Sequence, residues 1–410
     1  MKENELKKYA SSHNTPFYLL DLDIFVSVVR QTRELLGEQI DVCYAMKTNP
    51  FLTGRAADLL DRIEVCSTGE FHICRELGIP AEKLFISGVL KKREEIRMIL
   101  DQTGGRSCYT AESLNHLRFL SEWAEENRKK IRVYPRLTSG NQFGMDEETI
   151  TRIIRSRENY PMLEIAGIHF FSGTMKRTAD VVEKELQELD AFFARLSGEG
   201  FLVPELEYGP GLPASYFKGG KAPEGREAFL GKIRETVASM SWKGSVTVEM
   251  GRGFAAECGY YFTCVQDVKI SRGGKKKELT RYCITDGGTH QIQYDGQIRG
   301  MYTPHITLLG GETEKNRSEK TIVGSDPKTW KICGCLCTGN DVLVNEFEAE
   351  DISEGDVLVF HNAGAYSMME GPALFLSHEL PEVLLKSDEK GTFVARKRTE
   401  SFSLNMVPGV

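Results

Sequence analysis

The 410-residue sequence lacks any run of about 18 apolar residues, the length that a membrane-spanning helix needs. It also lacks an excess of basic residues, because 52 lysines and arginines stand against 59 aspartates and glutamates and leave a net charge of −7. This balance argues against a dedicated nucleic-acid-binding protein, whose affinity depends on a basic face. With 40% hydrophobic and 27% charged residues, the composition is that of an ordinary globular protein and excludes wholesale disorder.

The beginning of the chain, Met1–Lys8, is polar and has no apolar core of the kind found in signal peptides. The 10 cysteines are scattered over a long chain, which is typical of reduced thiols and not of a disulfide framework. We therefore expect a cytoplasmic protein.

Short β-rich runs alternate with segments of helical periodicity up to about residue 265. The clearest helix is predicted over Thr178–Leu196, where apolar residues recur at spacings of three and four. Eight strands are predicted at Ile40–Met46, Ile63–Cys66, Lys83–Ser87, Ser107–Thr110, Ile131–Leu137, Ile165–Phe171, Leu202–Tyr208 and Ser245–Met250. This alternation predicts parallel strands with crossover helices, closed into a (β/α)8 barrel, and leaves a doubly wound open sheet as the alternative.

The remainder of the chain has strand signals separated by glycine, aspartate and serine clusters. Strands are predicted at Val265–Ile270, Tyr282–Asp286, Thr321–Val323, Trp330–Leu336, Asp356–Phe360 and Thr392–Arg396, with the basic run Lys275–Lys277 at an exposed hairpin tip. The predicted fold class is α/β, with a TIM barrel over residues 23–264 followed by a C-terminal β-barrel domain over residues 265–410. Residues 1–22 are predicted to join the β domain.

Barrel enzymes carry their reactive groups at the C-terminal ends of the strands, and the first predicted strand ends at Lys47. Burial lowers the pKa of a lysine, and the neutral amine condenses with carbonyl compounds. The alternative is a structural lysine whose ammonium group reaches water at the barrel rim.

Glycine-containing turns follow the last two barrel strands, at Gly209 and Gly211 and at Gly251 and Arg252. Glycines let backbone N–H groups approach an anion, and barrels often bind phosphate between these two loops. Taken alone, Gly-Pro-Gly is equally compatible with a plain turn. Glu249 ends the last strand and places a carboxylate at the same mouth.

Two further strand ends carry candidate residues. Thr174 could supply a hydroxyl to the same anion, whereas His169 taken alone fits a core histidine equally well. Arg136 ends the fifth strand, and its structural alternative is an internal ion pair with a carboxylate such as Glu64 or Glu70. A lysine, a phosphate cup and a carboxylate together match the aldehyde, phosphate and ring nitrogen of pyridoxal phosphate.

These motifs resemble those of the fold-type III pyridoxal-phosphate decarboxylases, which include diaminopimelate and ornithine decarboxylases. The matching segments are Tyr44–Lys47, Gly209–Gly211, Glu249–Arg252, Gly334–Asp341 and Gly364–Tyr366. Met250 stands where the family motif usually has proline.

The resemblance implies roles for individual residues. Lys47 would form the covalent imine with the cofactor aldehyde, and Glu249 would pair with the pyridine nitrogen. Arg252 and Tyr366 would lie at the phosphate, and Cys337 would be the catalytic cysteine, which protonates the substrate α-carbon as general acid. The family also implies a head-to-tail homodimer, in which this cysteine reaches the partner's cofactor.

Three departures from the family pattern bear on the substrate. Phe171 stands where a histidine usually stacks on the cofactor ring, and Thr338 replaces the acidic residue that holds a distal ammonium. The arginine and tyrosine that grip diaminopimelate are not recognisable in His290–Tyr302. A hydroxyl cannot replace a carboxylate against a desolvated cation, because charged hydrogen bonds contribute about 1.5–3 kcal/mol.

Within the family, His169–Thr174, Leu336–Thr338 and Phe375–His378 resemble the branch that decarboxylates glutamate on a carrier protein. The sequence thus predicts a pyridoxal-phosphate-dependent amino-acid α-decarboxylase for a carrier-tethered or non-diamino substrate, with His290 and Thr338 facing that substrate. A diaminopimelate-type decarboxylase, an amino-acid racemase or epimerase, and a non-catalytic regulatory homologue are the alternatives. Glu249 disfavours a racemase, since related alanine racemases have an arginine there.

The cysteine-rich segment carries a further expectation. Cys333, Cys335 and Cys337 are predicted to alternate along one strand and to share one face. Three thiols on a strand without a turn between them make a poor zinc site, so no metal is predicted. The structural alternative for Cys337 is a buried strand thiol.

Overall fold

The computed structural model describes residues 1–219, 222–273, 278–310 and 327–408. The chain divides into two compact units. The barrel unit comprises Val26–Ala214 and Ala222–Phe254, and the sheet unit comprises Met1–Phe25, Ser215–Lys221 and Ala255–Val410. None of the helices in the described ranges is long and apolar enough to cross a membrane.

The elements follow in chain order. The α-helices are α1 Glu3–Ser12, α2 Leu22–Leu36, α3 Thr53–Leu59, α4 Thr68–Glu76, α5 Arg93–Thr103, α6 Leu114–Asn127, α7 Glu147–Arg155, α8 Asp180–Gly198, α9 Arg226–Ser239 and α10 Arg252–Ala255. The first ten strands are β1 Phe17–Asp21, β2 Ile40–Ala45, β3 Arg62–Val65, β4 Leu84–Ile86, β5 Cys108–Ala111, β6 Ile131–Leu137, β7 Leu163–Ile165, β8 Gly167–Phe171, β9 Glu205–Gly209 and β10 Ser245–Met250. The remaining strands are β11 Gly259–Gly273, β12 Glu278–Thr285, β13 Ile306–Leu309, β14 Lys328–Cys333, β15 Val342–Ala349, β16 Val357–Phe360, β17 Glu382–Ser387 and β18 Gly391–Arg396.

Eight parallel strands close the barrel unit into a ring. The hydrogen-bonded order runs β5-β4-β3-β2-β10-β9-β8-β6, and the β5–β6 pairing completes it, with β7 added to β6. Helices follow most of these strands, as parallel crossovers require. In α8, Val182, Leu186, Leu189 and Phe193 are buried along one face. The predicted TIM barrel is therefore confirmed, and the open-sheet alternative is wrong.

The sheet unit is built around a mixed sheet of nine strands among the described residues. Its main path runs β15-β14-β12-β11-β1-β17-β18, with β16 paired to β11 and β13. Strand β1 lies between β11 and β17, and its five residues, Phe17–Asp21, are all buried. Aromatic packing of Phe17 on Phe262, with ring centroids 4.4 Å apart, belongs to this core.

The structure corrects one strand and adds others. Strand β14 ends at Cys333, so Cys335 and Cys337 lie in the turn that follows, and the prediction that three thiols share a strand face is wrong. Sequence patterns did not predict β13, β15 or β17, which are short or irregularly patterned in polarity. The predicted strand Thr321–Val323 and the basic run Lys275–Lys277 lie outside the described residues.

Candidate active site

Lys47 lies just beyond the C-terminal end of β2, in the short helical turn Met46–Thr48. Its Nζ donates a hydrogen bond to Glu64 Oε2 at 2.5 Å and lies 3.7 Å from Glu249 Oε1. Because β3 and β10 pair on either side of β2, the two buried carboxylates flank the amine. The structure thus places Lys47 at the barrel mouth as an ion-paired amine that is about one-third exposed (35%).

Glu249 and His169 leave polar atoms without hydrogen-bond partners at this mouth. His169 Nε2 lies 3.3 Å from Glu249 Oε2, yet neither these atoms nor His169 Nδ1 has a hydrogen-bond partner among the described residues. Burial and the nearby Arg136 guanidinium lower the pKa of His169 to about 3, so its ring is neutral at physiological pH. Buried polar atoms normally have partners, so these orphaned atoms indicate a place for a polar ligand.

Two glycines in the mouth loops occupy positions that no larger residue could take. A Cβ on Gly211, whose φ is +65°, would lie 1.9 Å from the carbonyl oxygen of Gly173. A Cβ on Gly251 would lie 1.9 Å from Thr48 Oγ1. The backbones after β8, β9 and β10 therefore approach each other and the β2 end closely, as a glycine-lined anion cradle requires.

Arg252 ties two of these loops together. Its Nε donates a hydrogen bond to Thr174 Oγ1 at 3.3 Å, which joins the loop after β10 to the loop after β8. The fixed positive charge of the guanidinium lies beside the glycine cradle, where it would complement a dianionic phosphate. Gly209 belongs to the same region, since a Cβ there would lie 2.5 Å from the Phe171 ring on the neighbouring strand.

Arg136 forms an ion pair that differs from the expected one. Its Nη1 lies 3.2 Å from Glu112 Oε1, and both side chains are buried. The expected partners Glu64 and Glu70 are wrong, because Glu64 pairs with the lysine of the mouth and Glu70 accepts the backbone N–H of Cys66 at 2.6 Å.

Several residues at the mouth are not predicted by the sequence to have a role there. Glu64 contacts Lys47, and Cys66, in the loop that follows β3, has its pKa raised by burial and by Glu64. Lys91 is buried, donates hydrogen bonds to Gly88 O at 2.8 Å and Thr110 Oγ1 at 2.9 Å, and has its pKa lowered to about 8 by burial. The sequence signal that could have indicated a role for Glu64 is the presence of a carboxylate within an otherwise apolar strand.

The other predicted site residues belong to the sheet unit. Cys337 is exposed in the turn after β14, so the alternative of a buried strand thiol is wrong. Thr338 follows it, and its hydroxyl accepts the backbone N–H of Asn340 at 3.3 Å. His290 is buried, and Tyr366 has a left-handed backbone with φ +63°.

The barrel mouth fits pyridoxal phosphate in three respects. A lysine amine can bond to its aldehyde, an orphaned carboxylate oxygen on Glu249 can meet its ring nitrogen, and a glycine cradle with Arg252 suits its phosphate. These features define a TIM-barrel enzyme that uses pyridoxal phosphate.

The chain belongs to the pyridoxal-dependent decarboxylases, since residues 22–256 match the pyridoxal binding domain of that family. The predictions of fold-type III decarboxylase membership, enzyme class and cofactor are therefore confirmed.

Relatives of known activity cover almost the whole chain. The L-glutamyl-[BtrI acyl-carrier protein] decarboxylase of Niallia circulans is 27% identical over 97% of this chain and 95% of its own. The diaminopimelate decarboxylase of Aquifex aeolicus is 24% identical, over 99% of this chain and 94% of its own. The 2-[(L-alanin-3-ylcarbamoyl)methyl]-2-hydroxybutanedioate decarboxylase of Staphylococcus aureus is 25% identical, over 93% of this chain and 96% of its own.

A solved structure shares the fold. Diaminopimelate decarboxylase from Helicobacter pylori, crystallised with L-lysine, has a TM-score of 0.81 and 21% identity, and the match covers 98% of each chain.

Replacement of Gly211 by alanine tests the glycine cradle. We expect Gly211→Ala to weaken retention of pyridoxal phosphate by about tenfold or more, because the new Cβ meets the Gly173 carbonyl and strains the loop. Bound cofactor would be measured spectrophotometrically after dialysis.

Gly200→Ala is the matched control for the cradle. Gly200 has a similar φ of +76°, but no atom lies within 4 Å of the position that a Cβ would take, so this change isolates backbone strain from steric clash. Equal cofactor loss in the two variants would show that the Gly211 loop is not a cradle.

Proposed function

We propose that this protein decarboxylates an α-amino acid whose side chain carries no distal amine, with a glutamyl group on a carrier protein as the first substrate to test. Two relatives support this proposal, because their names specify a carrier-linked glutamyl group and a hydroxybutanedioate derivative. The diaminopimelate decarboxylases among the relatives make the diamino acids the competing substrate class.

The observation that carries the proposal is the neutral residue after Cys337. Thr338 Oγ1 accepts a hydrogen bond from the Asn340 backbone, and the Thr338 N–H donates to Leu336 O at 2.7 Å. Its side chain is therefore engaged within its own turn and carries no charge that could balance a buried ammonium group.

The predicted site residues of the barrel unit have proposed tasks at its mouth. When bound, pyridoxal phosphate supplies the electron sink that loss of a carboxylate requires. The Lys47 amine would hold the cofactor covalently through its aldehyde, and the Glu249 carboxylate would keep a proton at the pyridine nitrogen. Arg252 and the N–H groups of the Gly209–Gly211 and Gly251 loops bind the phosphate.

Further tasks fall to five residues. His169 is buried beside Glu249 and uncharged, and we assign it to packing against the cofactor ring. Arg136 and Thr174 complete the polar wall of the mouth. In the sheet unit, we assign His290 to substrate contact. Tyr366 is assigned to the phosphate, as the family likeness implies.

Cys337 is the proposed proton donor to the substrate α-carbon. Its thiol is exposed in the turn after β14, and a surface position suits a group that must reach a substrate. The family likeness implies that this substrate is bound by the other protomer of a homodimer.

An exposed apolar patch on the sheet unit supports self-association. Leu374, Phe375 and Leu376 are 45–49% exposed, and Asn405 donates hydrogen bonds to Leu374 O and Ser377 Oγ. These bonds join Leu374–Ser377 to the segment that carries Phe402, Leu404 and Met406, which are 52–67% exposed. Exposed apolar residues on adjoining segments are typical of a protein interface, and we propose that a second copy of the chain covers them.

The substrate proposal is tested by measuring released carbon dioxide from free and carrier-linked amino acids. We expect the kcat/KM for a glutamyl-carrier substrate to exceed those for free lysine, ornithine and diaminopimelate.

In Thr338→Glu, the substrate preference should shift toward the diamino acids by about tenfold or more, because the new carboxylate can pair with a distal ammonium group. Faster turnover of diaminopimelate by the unaltered enzyme would refute the substrate class.

Lys47→Ala tests the covalent anchor. We expect it to abolish both the visible absorption of bound cofactor and carbon dioxide release, because no amine then bonds the aldehyde. Lys91→Met is the control, since Lys91 is a second lysine near the mouth, is buried, and should leave the visible absorption in place when it is replaced. Loss of the absorption in Lys91→Met with its retention in Lys47→Ala would reverse the assignment.

Mixing two inactive variants tests whether sites are shared. Heterodimers of Lys47→Ala with Cys337→Ala should regain activity, since one site then combines both intact residues, and a statistical mixture should approach about a quarter of full activity. Mixing Lys47→Ala with Glu249→Gln is the control, because these residues lie 3.7 Å apart in one barrel and no site regains both. Well-exchanged heterodimers without any gain would count against sharing.

A further inference from the structure

Three side chains capable of binding a metal converge within the sheet unit. Three possible ligand atoms lie within 4.8 Å of one another, namely one ring nitrogen of His290, one ring nitrogen of His378 and the Cys335 sulfur. Cys335 Sγ is 3.9 Å from His378 Nε2, and the two imidazole centroids are 4.9 Å apart. Two such ligands at about 2.3 and 2.0 Å from a tetrahedral zinc ion would be about 3.5 Å apart, so small side-chain adjustments would complete the geometry.

His290 is the observation that points to a ligand. Its side chain is 1% exposed, and neither ring nitrogen has a hydrogen-bond partner among the residues that the structure describes. Buried polar groups are normally hydrogen-bonded, so a buried imidazole without partners indicates a ligand. The His290 ring nitrogens are not engaged by other described residues and are available for coordination.

Asp341 fixes the relative positions of two of the three ligands. Its Oδ1 accepts the backbone N–H and hydroxyl of Thr289, at 2.7 and 2.8 Å, beside His290. Its Oδ2 accepts the N–H of Leu336 at 2.7 Å, beside Cys335. One buried carboxylate thus ties both ligand-bearing loops before any ion binds, which reduces the ordering that metal binding would need.

Gln291 connects the segment of His378, the third ligand, to the loop that carries His290. Its Nε2 donates to Glu379 O at 3.1 Å, next to His378. Its own Oε1 and main-chain O accept the hydroxyls of Tyr261 and Tyr18, each at 2.7 Å, and both tyrosines are fully buried. The His378 segment is therefore bound to the residue that follows His290.

We propose that His290, Cys335 and His378 form a site for one divalent transition-metal ion of the zinc type. One thiolate and two imidazoles suit zinc rather than magnesium or calcium, which prefer oxygen ligands. Coordination forms one metal–sulfur bond and releases the thiol proton to solvent, with no change in oxidation state. The fourth coordination position stays open to water or to another ligand.

The site differs from the three-thiol arrangement that the sequence argued against, since it takes one cysteine and two histidines from three separate segments. Cys335 is two residues before Cys337, so a bound ion would hold the turn that carries the proposed proton donor. That consequence rests on the proposed function, whereas metal binding itself does not.

Zinc binding to the full-length, cofactor-loaded protein tests the site. We expect about one zinc ion per protomer by elemental analysis after exhaustive dialysis, and at least about tenfold weaker binding in Cys335→Ser and in His378→Gln. Cys333→Ser is the matched control, because the Cys333 thiol is also half-buried, at the end of β14, but lies outside the cluster. The zinc affinity of this variant should equal that of the unaltered protein. Cofactor absorption and far-ultraviolet circular dichroism would verify that each variant is folded.

X-ray absorption at the zinc edge gives an independent readout. The unaltered protein should show one sulfur at about 2.3 Å together with nitrogen neighbours at about 2.0 Å, and Cys335→Ser should lose the sulfur shell. Substoichiometric zinc, a shell without sulfur, or equal loss of affinity in Cys333→Ser and Cys335→Ser would overturn the proposal. None of these results depends on which substrate the enzyme decarboxylates.

Discussion

The contact between the Lys47 amine and two buried carboxylates is the interaction around which the barrel mouth is organised. A cation removed from water is costly unless anions accompany it, and Glu64 and Glu249 come from the strands on either side of β2. The closed parallel barrel makes those strands neighbours, although Glu64 and Glu249 are far apart in sequence. The same pairing positions the reactive amine and the proposed ring partner in one place, so the fold itself brings the two functions of the cofactor site together.

Close backbone approach is the second constraint, and it explains why the mouth is built from glycine. At Gly211 and Gly251 the space for a side chain is already taken by Gly173 and Thr48. Loops packed this tightly have little freedom left to lose when an anion binds, and the Arg252–Thr174 hydrogen bond restricts them further. The cradle is in this sense formed before its ligand arrives, and Glu249, with an orphaned oxygen, belongs to the same mouth.

Much of this arrangement could be predicted because barrel strands are apolar and regularly spaced: Ile131–Leu137 and Ser245–Met250 coincide with β6 and β10. Strand ends then located Lys47, Glu249 and Arg252 at one mouth. The ion-pair partner of Arg136 could not be predicted, since the choice among buried carboxylates depends on side-chain direction within the barrel. The sequence pattern extends the cysteine-bearing strand too far because cysteine recurs at every second position in Cys-Gly-Cys-Leu-Cys, as one face of a strand would require. In the structure, hydrogen bonds to Asp341 turn the backbone after Cys333.

In the proposed assignment, the turn between β14 and β15 carries Thr338, the residue that selects the substrate. The Asp341 carboxylate accepts hydrogen bonds from the Leu336 N–H in this turn and from the Thr289 N–H in the loop after β12, and neither bond involves the residues at the tip, Cys337 and Thr338. A change of Thr338 to a residue without a hydroxyl removes the hydrogen bond from the Asn340 backbone, whereas the other hydrogen bonds of the turn are made by main-chain groups and Asp341. The groups that we propose to hold the cofactor belong to the barrel unit, whereas Cys337, the proposed proton donor, and Thr338 belong to this turn of the sheet unit. In the proposed assignment the turn therefore contributes both to the reaction and to the choice of substrate.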